Sequence, residues 1–136
     1  METINISESI TVMYVAASSF PEGVLAAHQA LHAKIPFSTE RGYYGLSRPE
    51  GGSGIIYKAA AKQMDEQEAA NLNLDSVVIK KGNYISELVS DYMKDLNAIG
   101  STFQELLKHP DLDPDGYCIE HYINDKDVRC MIRLRS

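Results

Sequence analysis

Hydrophobic and polar positions along the chain predict the same order of elements twice. In the first half, an apolar run at 10–17 indicates a strand, and a helix is predicted from about Pro21 to Ile35. Ser19 and Glu22 have the spacing of a capping box, and Pro21 suits the first turn of that helix. The rest of this half is predicted to contain a turn near Pro36, strands at 42–46 and 55–62, and a Gly-rich turn at 49–54.

The second half repeats this order after a polar connector at 64–73. Its predicted elements are a strand at 74–80 that bends at 81–83 and continues over 84–89, a helix over about 91–108, and strands at 117–123 and 128–134. Two βαββ pseudo-repeats, 8–63 and 74–135, indicate an α+β fold in which two helices cover one side of an antiparallel sheet. We therefore expect one domain over 1–136, with a ligand site in the cleft between the repeats.

Composition narrows the class of protein. With 136 residues and 44% hydrophobic content, the chain has the length and apolar content of one globular domain with a real core. The N-terminus is acidic and polar, and no apolar run is long enough for a bilayer, so we expect a cytoplasmic protein without membrane contact. A formal net charge of −6 argues against direct nucleic-acid binding. Cys118 and Cys130 have no CxxC spacing and are expected to be reduced and buried.

The strand at 117–123 carries a carboxylate in an otherwise apolar and aromatic setting. Period-two alternation places Cys118, Glu120 and Tyr122 on one face of this strand. An ionised carboxylate among apolar groups is costly unless a partner neutralises it, which suggests a pocket for a positively charged or hydrogen-bond-donating guest. The alternative is that this face of the sheet is solvated and that Glu120 is an ordinary surface acid.

Three other patterns are better explained by structure than by chemistry. His28 and His32 have the spacing of a metal site on a helix, but no third ligand is evident nearby, so an ordinary helix face is expected. Residues 51–54 lack the Lys-Ser/Thr of a phosphate-binding loop, and residues 113–116 lack the later ligands of a calcium loop. Both segments are predicted to be turns, and neither a metal nor a cofactor is expected.

The second half of the chain resembles GyrI-like small-molecule-binding domains. The residues that carry this resemblance are Gly82-Asn83-Tyr84, the helix that follows them, and Ile119-Glu120-His121-Tyr122, with weaker agreement at Tyr44-Gly45-Leu46 and Tyr57-Lys58-Ala59 in the first half. The resemblance implies paired βαββ units around an aromatic pocket in which a buried Glu recognises cationic or amphipathic compounds. Some such domains are fused to DNA-binding helices in multidrug-sensing transcription regulators, and others stand alone. With no room for a helix-turn-helix before residue 10, we expect the stand-alone form.

The resemblance assigns roles to individual residues. The pocket acid of the family falls on Glu120, and the two aromatic partners fall on Tyr122 and Tyr57. The further candidates for ligand contact are Tyr44, Tyr84 and Cys118. The chain has no tryptophan, which many relatives place in or near the second helix, and this departure favours a smaller or less planar ligand.

Three functions are compatible with these residues. The first is a cytoplasmic binder of a cationic or amphipathic compound. The second is a hydrolase of electrophilic toxic molecules, in which Glu120 would activate water and Tyr57 or Tyr122 would assist the leaving group. The third is a protein-binding regulator in the manner of a gyrase inhibitor, marked by an exposed apolar or acidic surface and a small, filled cavity. The residue types alone do not separate binding from catalysis.

Overall fold

An antiparallel sheet of eight strands forms the centre of the fold. The computed structural model describes residues 1–49, 54–95 and 97–135, and within these the sheet runs in the order β1-β6-β8-β7-β3-β4-β2-β5. The strands are β1 Glu2–Ile6, β2 Ile10–Ala16, β3 Tyr43–Pro49, β4 Ile55–Lys62, β5 Asp75–Ile79, β6 Gly82–Val89, β7 Cys118–Tyr122 and β8 Val128–Arg133. The helices are α1 Val24–Lys34, α2 Glu68–Asn71 and α3 Ala98–Leu106, with a 3-10 turn at Tyr92–Lys94.

Each half of the chain contributes an outer strand to the sheet of the other half. β1, which precedes the first repeat, pairs with β6 of the second repeat, and β5, which opens the second repeat, pairs with β2 of the first. The two repeats also meet in the middle of the sheet, where β3 pairs with β7. Each half of the sheet is therefore completed by a strand from the other half, and the α+β architecture predicted from the repeated pattern is confirmed.

Two helices cover the two ends of one sheet face. The α1 helix buries Ala27 and Leu31 against β2 and β4, where Ala59 and Ala61 present small side chains that let the helix approach closely. The helix ends at Lys34, and its C-cap residue Ile35 is extended because Pro36 follows it. The α3 helix packs on β6 and β8 at the other end of the sheet. Its cluster of buried residues is Ile85, Val89, Phe103, Leu106, Val128, Cys130 and Ile132.

The opposite face of the curled sheet has its own core. The buried residues of this core, which come from both halves of the sheet, are Val12, Tyr44, Leu46, Ala60, Ile79, Tyr84, Ile119 and Met131. Partly buried Ile4 and Ile6 of β1 pack against them. Since α1 and α3 cover only the ends of the first face, the central strands β3 and β7 lie between the two helices.

Two strand predictions require correction. The acidic N-terminal segment forms β1, an edge strand in which exposed and partly buried residues alternate. Its polar composition does not indicate a strand, and β1 was therefore not predicted from the sequence. The predicted bent strand at 74–89 is two strands, because Gly82 takes a φ of +137° and the chain leaves β5 at one edge of the sheet to enter β6 beside β1. Only glycine adopts that backbone conformation without strain.

The predicted helices are longer than the observed ones. The α1 helix begins at Val24 with Gly23 as N-cap and no side-chain cap, so Ser19 and Glu22 do not form the expected capping box. The segment predicted as one helix over 91–108 contains the 3-10 turn and then α3, while Leu96 lies outside the described residues. The polar connector contains the short helix α2, and residues 50–53 of the Gly-rich turn also lie outside the described residues. No helix in the described part of the chain is long and apolar enough to cross a membrane.

Candidate functional site

The central strands place a carboxylate between the two helices. In the pairing of β3 with β7, Gly45 lies opposite Glu120 and Tyr43 lies opposite Tyr122. Tyr122 packs against the clusters beneath both helices, so it stands at the boundary between the two repeats. The predicted alternation of β7 thus directs Glu120 and Tyr122 to the helix-covered face.

A chain of hydrogen bonds joins Glu120 to the first helix. The hydroxyls of Tyr122 and Tyr57 both donate to Oε1 of Glu120, the latter at 3.4 Å. The two tyrosine hydroxyls are 3.3 Å apart, and the Tyr57 hydroxyl is 2.8 Å from Nε2 of His28. No described residue donates a hydrogen bond to Oε2 of Glu120. The carboxylate therefore has one oxygen held by phenols and the other available.

Burial controls the protonation of these groups. It raises the pKa of Glu120, although the hydrogen bonds from Tyr122 and Tyr57 oppose this effect. Burial and the nearby charge of Glu120 raise the pKa of both tyrosines, so both keep their protons at neutral pH. Burial, followed by repulsion from His32, lowers the pKa of His28 to about 4. Among the described residues, no lysine or arginine forms an ion pair with Glu120.

Gly45 makes room for this cluster. A Cβ atom at Gly45 would overlap the Tyr57 hydroxyl, and it would lie 2.8 Å from Cζ of Tyr57 and 3.1 Å from Oε1 of Glu120. The space above the backbone of β3 is thus filled by the phenol that binds the carboxylate.

A cleft of about 700 Å³ opens beside Tyr122. It is bounded by α1, the loop after α1, the 3-10 turn and the turn between β7 and β8. Its lining residues are Leu25, His28, His32, Phe37, Ser38, Thr39, Arg41, Tyr43, Tyr92, Tyr122, Ile123, Asn124 and Asp125. Glu120 and Tyr57 do not line the cleft; they lie behind Tyr122 and His28. The size is within the range of small-molecule sites.

Aromatic side chains form much of the cleft wall. Phe37 stacks on Tyr43 with ring centroids 5.2 Å apart and an angle of 12° between the rings, and the backbone N–H of Ser38 donates to the Tyr43 hydroxyl at 2.8 Å. On the other side, the ring centroid of Tyr122 is 6.0 Å from that of Tyr92 and 5.6 Å from that of His28. Phe37 is 70% exposed, so its outer face is open to a ligand.

The cleft has few free charges. Arg41 is held by Glu68, with 2.8 Å between Nη2 and Oε2, which neutralises the guanidinium. This pairing lowers the pKa of Glu68. Asp125 contributes an acid at the rim of the cleft. His32 Nδ1 is buried and has no hydrogen-bond partner within the described ranges. These ranges contain no cluster of three or more His, Cys, Asp or Glu side chains that could hold a metal ion.

The structure separates the predicted ligand-contact residues into two groups. Cys118 shares the helix-covered face with Glu120, and burial together with the charge of Glu120 raises its pKa to about 11. Tyr44 and Tyr84 pack in the core of the opposite sheet face, where Tyr44 stacks on His121 and the Tyr84 hydroxyl donates to the Lys80 carbonyl at 2.6 Å. Tyr44 and Tyr84 are therefore separated from the cleft by the sheet.

Several cleft residues were not singled out from the sequence. Phe37 and Arg41 belong to an irregular loop, and Tyr92 belongs to a segment predicted to be helical, so no periodic pattern marked them. The sequence predicts an ordinary helix face for His28 and His32, yet both line the cleft. Their i, i+4 spacing was the available signal, because it places both rings on one side of α1.

Comparisons with known proteins support the fold. No protein-family model matches this chain, and no curated protein matches it. An integron cassette protein from the mobile metagenome of Vibrio cholerae matches with a TM-score of 0.69 and 13% identity, covering 98% of this chain and 95% of its own. SAV2435 bound to tetraphenylphosphonium matches with a TM-score of 0.64 and 9% identity, and the match covers 97% of this chain and 93% of SAV2435. A hydrolase from Listeria innocua matches with a TM-score of 0.58 and 10% identity, and the match covers 98% of this chain and 90% of the hydrolase.

Proposed function

We propose that this chain is a GyrI-like binder of cationic or amphipathic organic compounds, with the cleft beside Tyr122 as its binding site and Glu120 as the group that selects positive charge. The single observation that carries the proposal is that Glu120 has two phenol partners and no ion-pair partner among the described residues. A carboxylate in this setting is stabilised by a cation that enters the site.

The cleft wall suits such a ligand. Tyrosine and phenylalanine rings attract cations through their quadrupoles, and each contact contributes about 0.5 to 2 kcal/mol depending on desolvation. The lowered pKa of His28 keeps this imidazole neutral at pH 7, so it does not repel a cation. Arg41 is already neutralised by Glu68. The ligand of SAV2435, tetraphenylphosphonium, is itself an apolar cation, and it is the natural first probe.

Tyr122 connects the cleft to the carboxylate. A cation that contacts the Tyr122 ring or hydroxyl interacts with the negative charge of Glu120 through the phenol. Removing the charge at Glu120 should therefore weaken the binding of cations without removing the aromatic wall.

The decisive experiment measures thermal stabilisation by tetraphenylphosphonium in the wild type and in Glu120→Gln. A ligand present at about 100 times its dissociation constant stabilises the folded state by about 2.7 kcal/mol. We expect a clear rise of the melting temperature in the wild type and a much smaller one in Glu120→Gln. Neutral triphenylphosphine oxide should stabilise both proteins equally.

Glu40→Gln is the matched control. Glu40 is exposed on the loop that contributes Thr39 and Arg41 to the cleft, so its substitution removes the same charge from the surface nearby. The control variant should respond to the cation as the wild type does. Equal losses in both variants would show a general surface-charge effect, and a wild type that binds no organic cation would refute the proposal.

A second candidate function is hydrolysis of electrophilic small molecules. The observation that favours it is the contact of two protonated phenols with the same carboxylate oxygen, while Oε2 receives no hydrogen bond from a described residue. Oε2 could remove a proton from water as the water oxygen bonds to an electrophilic carbon, and the Tyr122 hydroxyl could protonate the departing oxygen. Proton transfer from Glu120 back to Tyr122 then restores both groups.

Epoxide hydrolysis tests this candidate. With styrene oxide as the probe, diol formation should exceed the uncatalysed rate in the wild type and fall to that rate in Glu120→Gln and Tyr122→Phe. Absence of turnover in a wild type that still binds tetraphenylphosphonium would leave binding as the function. The third alternative, a protein-binding regulator, predicts a small and filled cavity, and the open cleft of about 700 Å³ gives it no support.

A further inference from the structure

We propose that binding of an organic cation in the cleft expels a proton from Glu120 and reverses the direction of the hydrogen bonds that link this carboxyl group to His28. This inference rests on the proposed function, because it requires a cationic ligand. It adds that the affinity for the ligand depends on pH and that the protein exchanges a proton for each cation it takes up.

The hydrogen-bond chain has two possible directions. In one, the ionised Glu120 accepts from Tyr122 and Tyr57, so the oxygen of Tyr57 accepts a proton from Nε2 of His28 at 2.8 Å. In the other, a protonated Glu120 donates to a phenol oxygen, which frees the Tyr57 hydroxyl to donate to Nε2. The imidazole carries its proton on Nε2 in the first direction and on Nδ1 in the second.

Burial raises the pKa of Glu120, so the surroundings favour the protonated form of this carboxyl group more than water does when no cation is bound. The groups that face the carboxyl group are Tyr122 and Cys118 from β7, Cys130 from β8 and Tyr57 from β4, while Tyr92 from the 3-10 turn lies near the two tyrosines. From α1, His28 reaches the carboxyl group through Tyr57, and His32 lies next to His28. On β3, the residue directly opposite Glu120 is the uncharged Gly45. None of these groups is a permanent cation. An arriving ligand would supply the missing positive charge and so favour ionisation.

Isothermal titration calorimetry with tetraphenylphosphonium measures the exchange. The binding enthalpy is compared in two buffers that differ in ionisation enthalpy, at several values from about pH 5 to about pH 9, because protons released by the protein are taken up by the buffer. We expect release of up to about one proton per bound cation at the acidic end and a decline toward none as the pH rises through the pKa of Glu120. Glu120→Gln, which has no proton to release, should show equal enthalpies in both buffers at the same ligand saturation.

The direction of the hydrogen bonds between Glu120 and His28 is measured separately, by 15N NMR of the imidazole of His28. Addition of the cation at a pH below the pKa of Glu120 in the free protein should move the proton of His28 from Nδ1 to Nε2. Tyr57→Phe breaks the chain at its middle but leaves the contact between Tyr122 and Glu120, so this variant should keep the proton release and lose the tautomer change.

The outcomes separate the inference from the proposed function. If the wild type binds no organic cation, the proposed function is wrong. If it binds the cation with the same enthalpy in both buffers at every pH, the cleft is a cation site but the proton exchange does not occur. If proton release occurs but the tautomer of His28 does not change, the hydrogen bonds between Glu120 and His28 do not reverse.

Discussion

Gly45 and Glu120 lie directly opposite each other in the pairing of β3 with β7, and the missing side chain of the first makes room for the partners of the second. The phenol of Tyr57 occupies the space that a Cβ atom at position 45 would need. A backbone feature of one repeat therefore determines how the carboxylate of the other repeat is hydrogen-bonded.

Gly45→Ala should disrupt this arrangement. The added methyl group would push the Tyr57 ring away from Glu120 in a closely packed site, and we expect a loss of about 1 to 3 kcal/mol in the free energy of unfolding. Urea denaturation measures the loss, and calorimetry on the folded protein measures the accompanying decrease in cation binding. Gly100→Ala is the control, since a Cβ atom at Gly100 meets nothing within 4 Å. In helix α3 this change should stabilise by about 0.5 to 1 kcal/mol. Equal stability of Gly45→Ala and the wild type would contradict the steric argument.

Tyr122→Phe should raise the pKa of Glu120 further. The Tyr122 hydroxyl donates to the carboxylate and thereby lowers the pKa of Glu120, opposing the effect of burial. The substitution removes this donor and keeps the ring in the cleft. Titration of the Glu120 carboxyl carbon by 13C NMR follows the change. Tyr92→Phe is the control, because Tyr92 lies near the Tyr122 ring but makes no described hydrogen bond to Glu120. A lower pKa in Tyr122→Phe would contradict the role assigned to the hydroxyl.

His28 should make the folded protein sensitive to acid. Its pKa is about 4 in the folded state, against an ordinary value of 6.5. A lowered pKa stabilises the folded state above pH 6.5, and this contribution is lost as the pH falls toward 4. The loss is at most about 3 kcal/mol and smaller if solvent reaches the ring. His28→Gln should lose less stability than the wild type between pH 7 and pH 4, as measured by urea denaturation. If the free energies of unfolding of the wild type and His28→Gln change with pH in the same way, His28 does not titrate as described.

Glu120 should make the folded protein less stable as the pH rises, which is the opposite of the effect of His28. Its raised pKa means that the folded protein holds this proton more tightly than the unfolded chain does. The resulting stability is fully present below the unfolded pKa and is lost as the pH rises through the folded pKa. Compared with Glu120→Gln, the wild type should therefore lose stability as the pH rises across that window, and the same denaturation series measures the difference. A difference that is independent of pH would mean that Glu120 has an ordinary pKa.

Phe37→Ala should weaken binding without unfolding the protein. Phe37 is 70% exposed and stacks on Tyr43 at the cleft, so it adds little to the core but offers an open face to a ligand. We expect the dissociation constant for tetraphenylphosphonium to rise by about 3- to 10-fold, which corresponds to one aromatic contact. Leu107→Ala is the control, because Leu107 is 53% exposed and does not line the cleft. Similar affinity in Phe37→Ala and the wild type would exclude Phe37 from the site.

Local patterns allowed most of the elements to be predicted from the sequence. The alternation around Glu120 placed this residue and Tyr122 on the same face of β7, and the repeated strand-helix-strand-strand order indicated the α+β fold. Edge strand β1 was missed, because an exposed edge strand tolerates polar residues and shows little periodicity. The division of β5 from β6 was missed as well, since strand pairing depends on distant partners.

The amino-acid sequence by itself determined the repeated elements, the face on which Glu120 lies and the acidic, tryptophan-free character of the chain. Only the tertiary structure decided that Tyr57 and Tyr122 donate to one oxygen of Glu120 and that His28 contacts the Tyr57 hydroxyl. It also decided that Tyr44 and Tyr84 lie on the sheet face opposite the cleft. The physical reason is that alternation fixes the direction of a side chain relative to its own strand, whereas its neighbours depend on strand order and register. That order results from packing over the whole sheet, to which residues far apart in the sequence contribute.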